Sequence, residues 1–177
     1  MNKFKVLSGL PPYGPMSEQF SSTGLGTHRE GYVVEFLPDS KNKWVGNFQP
    51  GLSGLYKILE HPNGEDVIII SGGEAYVVSP ETKELKSTFG GQIEYCEFVD
   101  QINSFVFGNG LWFEIVHKDG KRKQTKRISW DGMQNINIVS TDLYGEALDL
   151  EDKWIPFKVD LLTGSHTGGS FPASLEK

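Results

Sequence analysis

Short runs of β-branched and aromatic residues, each closed by Gly, Pro, Asn or Asp, recur along most of the chain. No window of 12 residues keeps a helical period free of Gly, Pro or β-branched runs. Periodicity therefore predicts strands throughout and almost no helix. Candidate strands pair up naturally: residues 55–60 with 67–71, 93–99 with 105–108, and 136–139 with 143–148. Turns fall between them at His61-Pro62-Asn63-Gly64, Gly72-Gly73 and Gly108-Asn109-Gly110.

The runs repeat. Phe48-Gln49-Pro50-Gly51, Phe89-Gly90-Gly91 and Trp130-Asp131-Gly132 each place an aromatic shortly before glycine, with the aromatics 41 residues apart at both steps. A fourth version lacking the aromatic lies at His166-Thr167-Gly168-Gly169. Ahead of each comes an apolar strand running into a polar turn. Tyr76-Val77-Val78 before Thr82-Lys83 matches Phe113-Glu114-Ile115-Val116 before Asp119-Gly120 and Phe157-Lys158-Val159 before Thr163-Gly164. The N-terminal counterpart is Val34-Glu35-Phe36-Leu37 before Ser40-Lys41, which sets the spacings at 42, 37 and 44 residues.

Four short strands in about 40 residues is the content of a propeller blade, which buries both faces only when stacked on neighbours. The expected fold is all-β: a small, incomplete or closed β-propeller of about four blade-like antiparallel repeats. As a single domain over residues 1–177, it divides into an N-terminal strand and Gly/Pro-rich arm (1–27), a partial blade (31–51), three blade-like repeats (52–91, 92–132, 133–170) and a tail (171–177). Phe48, Phe89 and Trp130 would fill the wedge between blades. Phe4 to Leu7 would supply a strand that completes the partial blade or clasps the last one, because exposed strand edges are usually covered. The stretch from Ser8 to Thr27 reads as a functional loop or a strap.

Composition narrows the classes. The chain has 177 residues, 37% hydrophobic and 12% aromatic, with 21 Gly and 9 Pro, enough apolar bulk for a core and many turn residues. One cysteine, Cys96, excludes an intrachain disulfide and a cysteine-based zinc site, and reads as a buried structural thiol. The first residues lack a signal-peptide core and no later run approaches a membrane span, so a cytoplasmic protein is expected. A net charge of −6 disfavours nucleic acid and anionic membranes as partners and is compatible with a basic protein.

The four-stranded repeat resembles the blades of WD-repeat and quinoprotein-like propellers, although only a lone Trp130-Asp131 echoes the WD signature. Leu10-Pro11-Pro12-Tyr13-Gly14-Pro15, Trp44-Val45-Gly46-Asn47-Phe48 and Trp154-Ile155-Pro156-Phe157 are similar to strings in small uncharacterised bacterial proteins. That resemblance implies a fold and transfers no activity.

Candidate chemistry is sparse. His28, His61, His117 and His166 show no metal-site spacing and read as exposed turn histidines. The serines lack a nucleophile elbow, and the glycine pairs lack a following helix or P-loop lysine. No catalytic residue, metal ligand or cofactor is assigned. Residues 118–127 carry six of the 17 basic side chains around an expected Asp119-Gly120 hairpin tip, without interleaved aromatics for base stacking. An acidic group, Asp131 with Asp149, Glu151 and Asp152, falls in loops at the opposite rim of the blades. Asn109, Asp131, Asp149 and Asp152 are the expected binding residues, since propellers bind through the loops of one face. The expectation is a non-enzymatic protein-binding module, of immunity or antitoxin type, engaging a basic partner. The alternative is a hydrolase or lyase acting on a small molecule or sugar at the propeller mouth.

Overall fold

The computed structural model describes residues 4–24, 29–39 and 42–175; His28 and the turn pair Ser40-Lys41 lie outside the described residues. Among the described residues there is no α-helix, only single 3-10 turns at Asp100–Ile102 and Ala173–Leu175. The strands form four four-stranded sheets, the blade-like repeat that the sequence spacing predicts. The chain divides into two compact units, Met1–Ile93 and Glu94–Lys177, each with two of these sheets.

In the first unit, β1 (Phe4–Val6), β2 (Glu18–Phe20), β3 (Tyr32–Phe36) and β4 (Trp44–Phe48) form one sheet in the order β1-β3-β4-β2. The second sheet is a meander of β5 (Lys57–Glu60), β6 (Val67–Ser71), β7 (Glu74–Val78) and β8 (Leu85–Gly90). All five residues of β6, Val-Ile-Ile-Ile-Ser, are buried, which is why that run does not alternate. Gly72 and Gly73 follow it with φ of 55° and 84°, so both central positions of this two-residue hairpin need the left-handed conformation that glycine supplies freely.

The N-terminal arm is built into the first sheet. β1 pairs antiparallel with β3, Phe4 opposite Phe36, and so completes the partial blade. The expectation of a loop or strap between Ser8 and Thr27 needs correction, because Glu18–Phe20 is a strand pairing parallel to β4, with Phe20 opposite Phe48. Phe20 is buried, its ring stacked 4.6 Å from that of Phe48. Around this pair lie Val34, Phe36, Trp44, Val67, Ile69, Tyr76 and Val78, the core of the unit. Trp44 stacks on Phe36 at 4.1 Å and donates its Nε1–H to the carbonyl of Pro80, so a large ring is buried without an orphaned donor.

The second unit contains two antiparallel meanders. The first comprises β9 (Tyr95–Val99), β10 (Ser104–Gly108), β11 (Phe113–His117) and β12 (Arg122–Gln124). The second comprises β13 (Met133–Val139), β14 (Asp142–Leu148), β15 (Trp154–Asp160) and β16 (His166–Gly168). Val106, Phe113, Ile115, Ile128, Leu143, Phe157 and Val159 belong to its core. Gly145 sits directly opposite Phe157, whose ring occupies the place of a side chain: a Cβ on Gly145 would lie 2.6 Å from Cζ of that ring. An aromatic covering a cross-strand glycine fixes register as well as filling space.

Three expectations about single residues change. Phe48 and Phe89 are buried as wedge residues should be, but Trp130 is only half-buried and lies beyond the end of β12. Ile128, fully buried, enters the core at that point. Cys96 is half-buried on β9 rather than enclosed. The three described histidines are not exposed turn residues: His61 is buried, while His117 and His166 are half-buried strand residues.

Candidate functional site

One concavity of the first unit has a volume of about 550 Å³. Its walls come from the chain between β3 and β4, the β5–β6 hairpin and the β7–β8 connection. Among the described residues five carboxylates line it, Asp39, Glu60, Glu65, Asp66 and Glu81, against one ammonium, Lys86. Phe4, Pro38, Val67 and Pro80 supply apolar surface between them.

Local hydrogen bonds hold these acidic loops in place. Asn63 Oδ1 accepts the backbone N–H of Glu65 and of Asp66, both at 3.0 Å, and Asn63 Nδ2 donates to Asp66 Oδ2 at 2.8 Å. Buried His61 accepts the N–H of Asn63 at Nδ1, 3.2 Å away. Across the concavity Glu81 Oε1 accepts the N–H of Asp39 at 2.7 Å. The Glu84 carboxylate raises the Lys86 pKa above the ordinary lysine value, and Asp66 and Glu65 add to the effect. A cation placed among these loops is thus stabilised by several acids together.

The residues singled out in the sequence lie in the second unit. Asn109 Oδ1 accepts the N–H groups of Leu111 and Trp112, both at 3.0 Å, shaping the β10–β11 hairpin. Asp149 Oδ1 likewise accepts from Glu151 and Lys153, both at 2.8 Å, in the β14–β15 hairpin. Asp152, exposed, takes φ of 58° in the same turn. Asp131 is exposed immediately before Gly132. The backbones of three of these loops meet: a Cβ on Gly110 would lie 3.5 Å from the Cα of Gly132, and Gly132 O accepts the N–H of Leu148. Asn109, Asp131 and Asp149 each neighbour one of those contacts in sequence, whereas Asp152 stands further out in its turn.

The basic cluster is dispersed by its own strand geometry. Lys121 pairs with Asp119, Arg122 with Glu114, and Lys123 Nζ donates to the carbonyl of Leu162. Arg127 turns back to the carbonyls of Ser129 and Trp130. Two other arrangements carry titratable or nucleophilic groups. Ser104 Oγ lies 2.9 Å from His117 Nδ1, but Ser104 is fully buried and donates to the carbonyl of Ile102, so the pair fastens β10 to β11 and presents no accessible nucleophile. Among the described residues no group of three His, Cys, Asp or Glu side chains is arranged to hold a metal, and no helix is long and apolar enough to cross a membrane.

The other arrangement secures the arm. Tyr76 Oη donates to the carbonyl of Gln49 at 2.7 Å, and Ser21 Oγ donates to Gln49 Oε1. Burial, with Glu74 nearby, pushes the Tyr76 hydroxyl up to about 12. Burial also raises the Glu74 carboxyl above its ordinary value, and a hydrogen bond with Ser22 offsets part of the rise. A raised carboxyl pKa means that the protonated form stabilises the fold; that contribution is complete below the unfolded pKa and is lost as pH rises through the folded one. At neutral pH the ionised Glu74 is therefore a net cost. Glu74→Gln should melt higher than the native protein at pH 7, and the difference should vanish near pH 4, about the ordinary carboxyl value. Thermal melts at the two pH values check this; a lower melting temperature at pH 7 would assign Glu74 a stabilising ionised role.

Comparison with solved structures gives distant likenesses. The computationally designed Ika8 protein is 14% identical with a TM-score of 0.42, over 67% of this chain and 36% of that one. Puromycin hydrolase is 13% identical with a TM-score of 0.41, over 77% of this chain and 24% of that one. The chain thus spans about a third and a quarter of their respective lengths. No protein-family model matches the chain, and no curated protein matches it in sequence.

Proposed function

We propose that this chain is a non-enzymatic protein-binding module that receives a basic segment of a partner protein, in the manner of a cytoplasmic immunity or antitoxin-type protein. The supporting observation is the concavity in the first unit, where among the described residues five carboxylates and one ammonium surround an apolar lining. Lysine and arginine suit such a surface in two ways: their aliphatic stems lie along Phe4, Pro38 and Pro80 while their charged ends reach the acids. The net charge of −6 favours the approach of a basic partner. Asp131 and Asp149, with Asn109 near them and Asp152 further out, offer a second acidic surface on the other unit, with Asn109 and Asp149 already engaged in shaping their hairpins.

A fluorescent nonaarginine peptide is a suitable probe. Glu60→Gln, Glu65→Gln and Glu81→Gln combined should weaken its binding roughly tenfold at low salt, since each exposed pair contributes about 0.2–1 kcal/mol and about 1.4 kcal/mol is tenfold. Glutamine keeps an acceptor for the Asp39 N–H, so the melting temperature should hardly move. Raising the salt to about 1 M should act like the substitutions, because the screening length falls to about 3 Å. If Asp131→Asn, Asp149→Asn and Asp152→Asn weaken binding instead, the acidic surface of the second unit is the site and the groove assignment fails.

A further inference from the structure

Between β1 and β2 the chain runs through Leu10-Pro11-Pro12-Tyr13-Gly14-Pro15-Met16, and every one of these residues is exposed. Tyr13 is 91% and Met16 93% exposed, the two most exposed large apolar side chains of the described chain. Neither contributes to a core, and no charged residue occurs from Val6 to Ser17.

The loop is nonetheless held at both ends. On one side the N–H of Leu7 donates to the carbonyl of Val33, and the N–H of Leu10 to Glu30 Oε2 at 2.8 Å. On the other, Gln19 Nε2 donates to Ser17 Oγ, and Asn47 Nδ2, from β4, donates to Gln19 Oε1. Between these anchors three prolines fix φ, and Gly14, with φ of 111°, turns the backbone directly after Tyr13. The tyrosine therefore stands at the tip of a stiffened bend.

We infer that this loop is a docking element that inserts Tyr13, with Met16 beside it, into an apolar, aromatic-lined pocket of a second protein. A tyrosine offers large contact area for the loss of only two side-chain torsions, and a pre-stiffened loop loses little backbone freedom on binding. Proline rings next to it favour aromatic walls, as in proline-reading grooves. An anionic membrane is a poor alternative occupant, because the loop offers no lysine or arginine to lipid headgroups. The loop is a different surface from the acidic groove, and its binding should be insensitive to salt where groove binding is not.

The test places a photoreactive benzoylphenylalanine at position 13 of the full chain, and at exposed Leu150 as a control, in an extract of the source cells. The expected result is a protein adduct from position 13 that position 150 does not give, with aromatic residues in the crosslinked peptide of the partner. The captured protein, once purified, should bind the native chain at least about tenfold more tightly than Tyr13→Ser, as for an interface anchor. That ratio should hold at about 0.05 and about 0.5 M NaCl, and Tyr13→Ser should melt like the native protein. The same adduct from both positions, no adduct, or equal affinities would overturn the inference. Tyr13-dependent binding to phosphatidylcholine vesicles would overturn it too, in favour of a lipid surface.

Discussion

Deleting residues 1–24 should yield a protein that aggregates and unfolds at markedly lower denaturant concentration. The deletion removes β1 from one edge of the first sheet and β2 from the other, leaving β3 and β4 with unpaired N–H and C=O groups along both outer edges. Such edges template pairing with other chains. It also removes Phe20, which stacks on Phe48 and lies 6.1 Å from Trp44. Phe20→Ala isolates the packing part and should cost about 3–5 kcal/mol without exposing an edge, a large share of the usual stability of about 5–15 kcal/mol. Light scattering should separate the two variants: the deletion associates, the point substitution does not. A truncated protein that stays unassociated with an unchanged urea midpoint would show that the first sheet stands without its outer strands.

How much of this was legible depended on distance along the chain. β6 and β10 were readable because each is a short apolar run bounded by turn residues, and both are buried along their whole length. β2 was not. It is three residues long, only Phe20 is buried, and its partner β4 begins 24 residues after β2 ends and runs parallel, a pairing that no local pattern encodes. The same limit governs the candidate site. The carboxylates of the first unit are scattered over residues 39, 60–66 and 81, and become neighbours only when three connections converge. By contrast Asp149, Glu151 and Asp152 are conspicuous in sequence because they share one hairpin, where Asp149 serves the turn itself. Sequence density marked a turn, whereas the acidic concavity is a product of strand pairing. One signal was available in advance: Asn63-Gly64-Glu65-Asp66 places two acids on a turn.

Ile128→Ala should destabilise the second unit more than Trp130→Ala, reversing the order that the aromatic-glycine repeat suggests. Counting 41 residues from Phe89 lands on Trp130, but β12 ends at Gln124 and the chain then runs irregularly before the next blade. Within that stretch Thr125, Ile128 and Ser129 are buried, and Ile128 packs into the core with Phe113, Leu143 and Phe157. Its carbonyl also accepts the N–H groups of Ser170 and Phe171, so the residue ties the end of the chain to this core. Truncating a buried isoleucine costs about 2–5 kcal/mol, through lost transfer energy and the cavity left behind. Trp130 instead lies 4.7 Å from the ring of Phe171, and the Arg127 guanidinium is 5.6 Å from its ring and 4.5 Å from that of Phe171. Its loss forfeits one aromatic pair, about 0.5–1.5 kcal/mol, and one cation-π contact, about 0.5–1 kcal/mol. Arg127 keeps its hydrogen bonds to backbone carbonyls after Trp130→Ala, which limits the damage further. Urea unfolding of the two variants decides the matter. A larger loss for Trp130→Ala would restore the tryptophan as the wedge and leave Ile128 as a bystander.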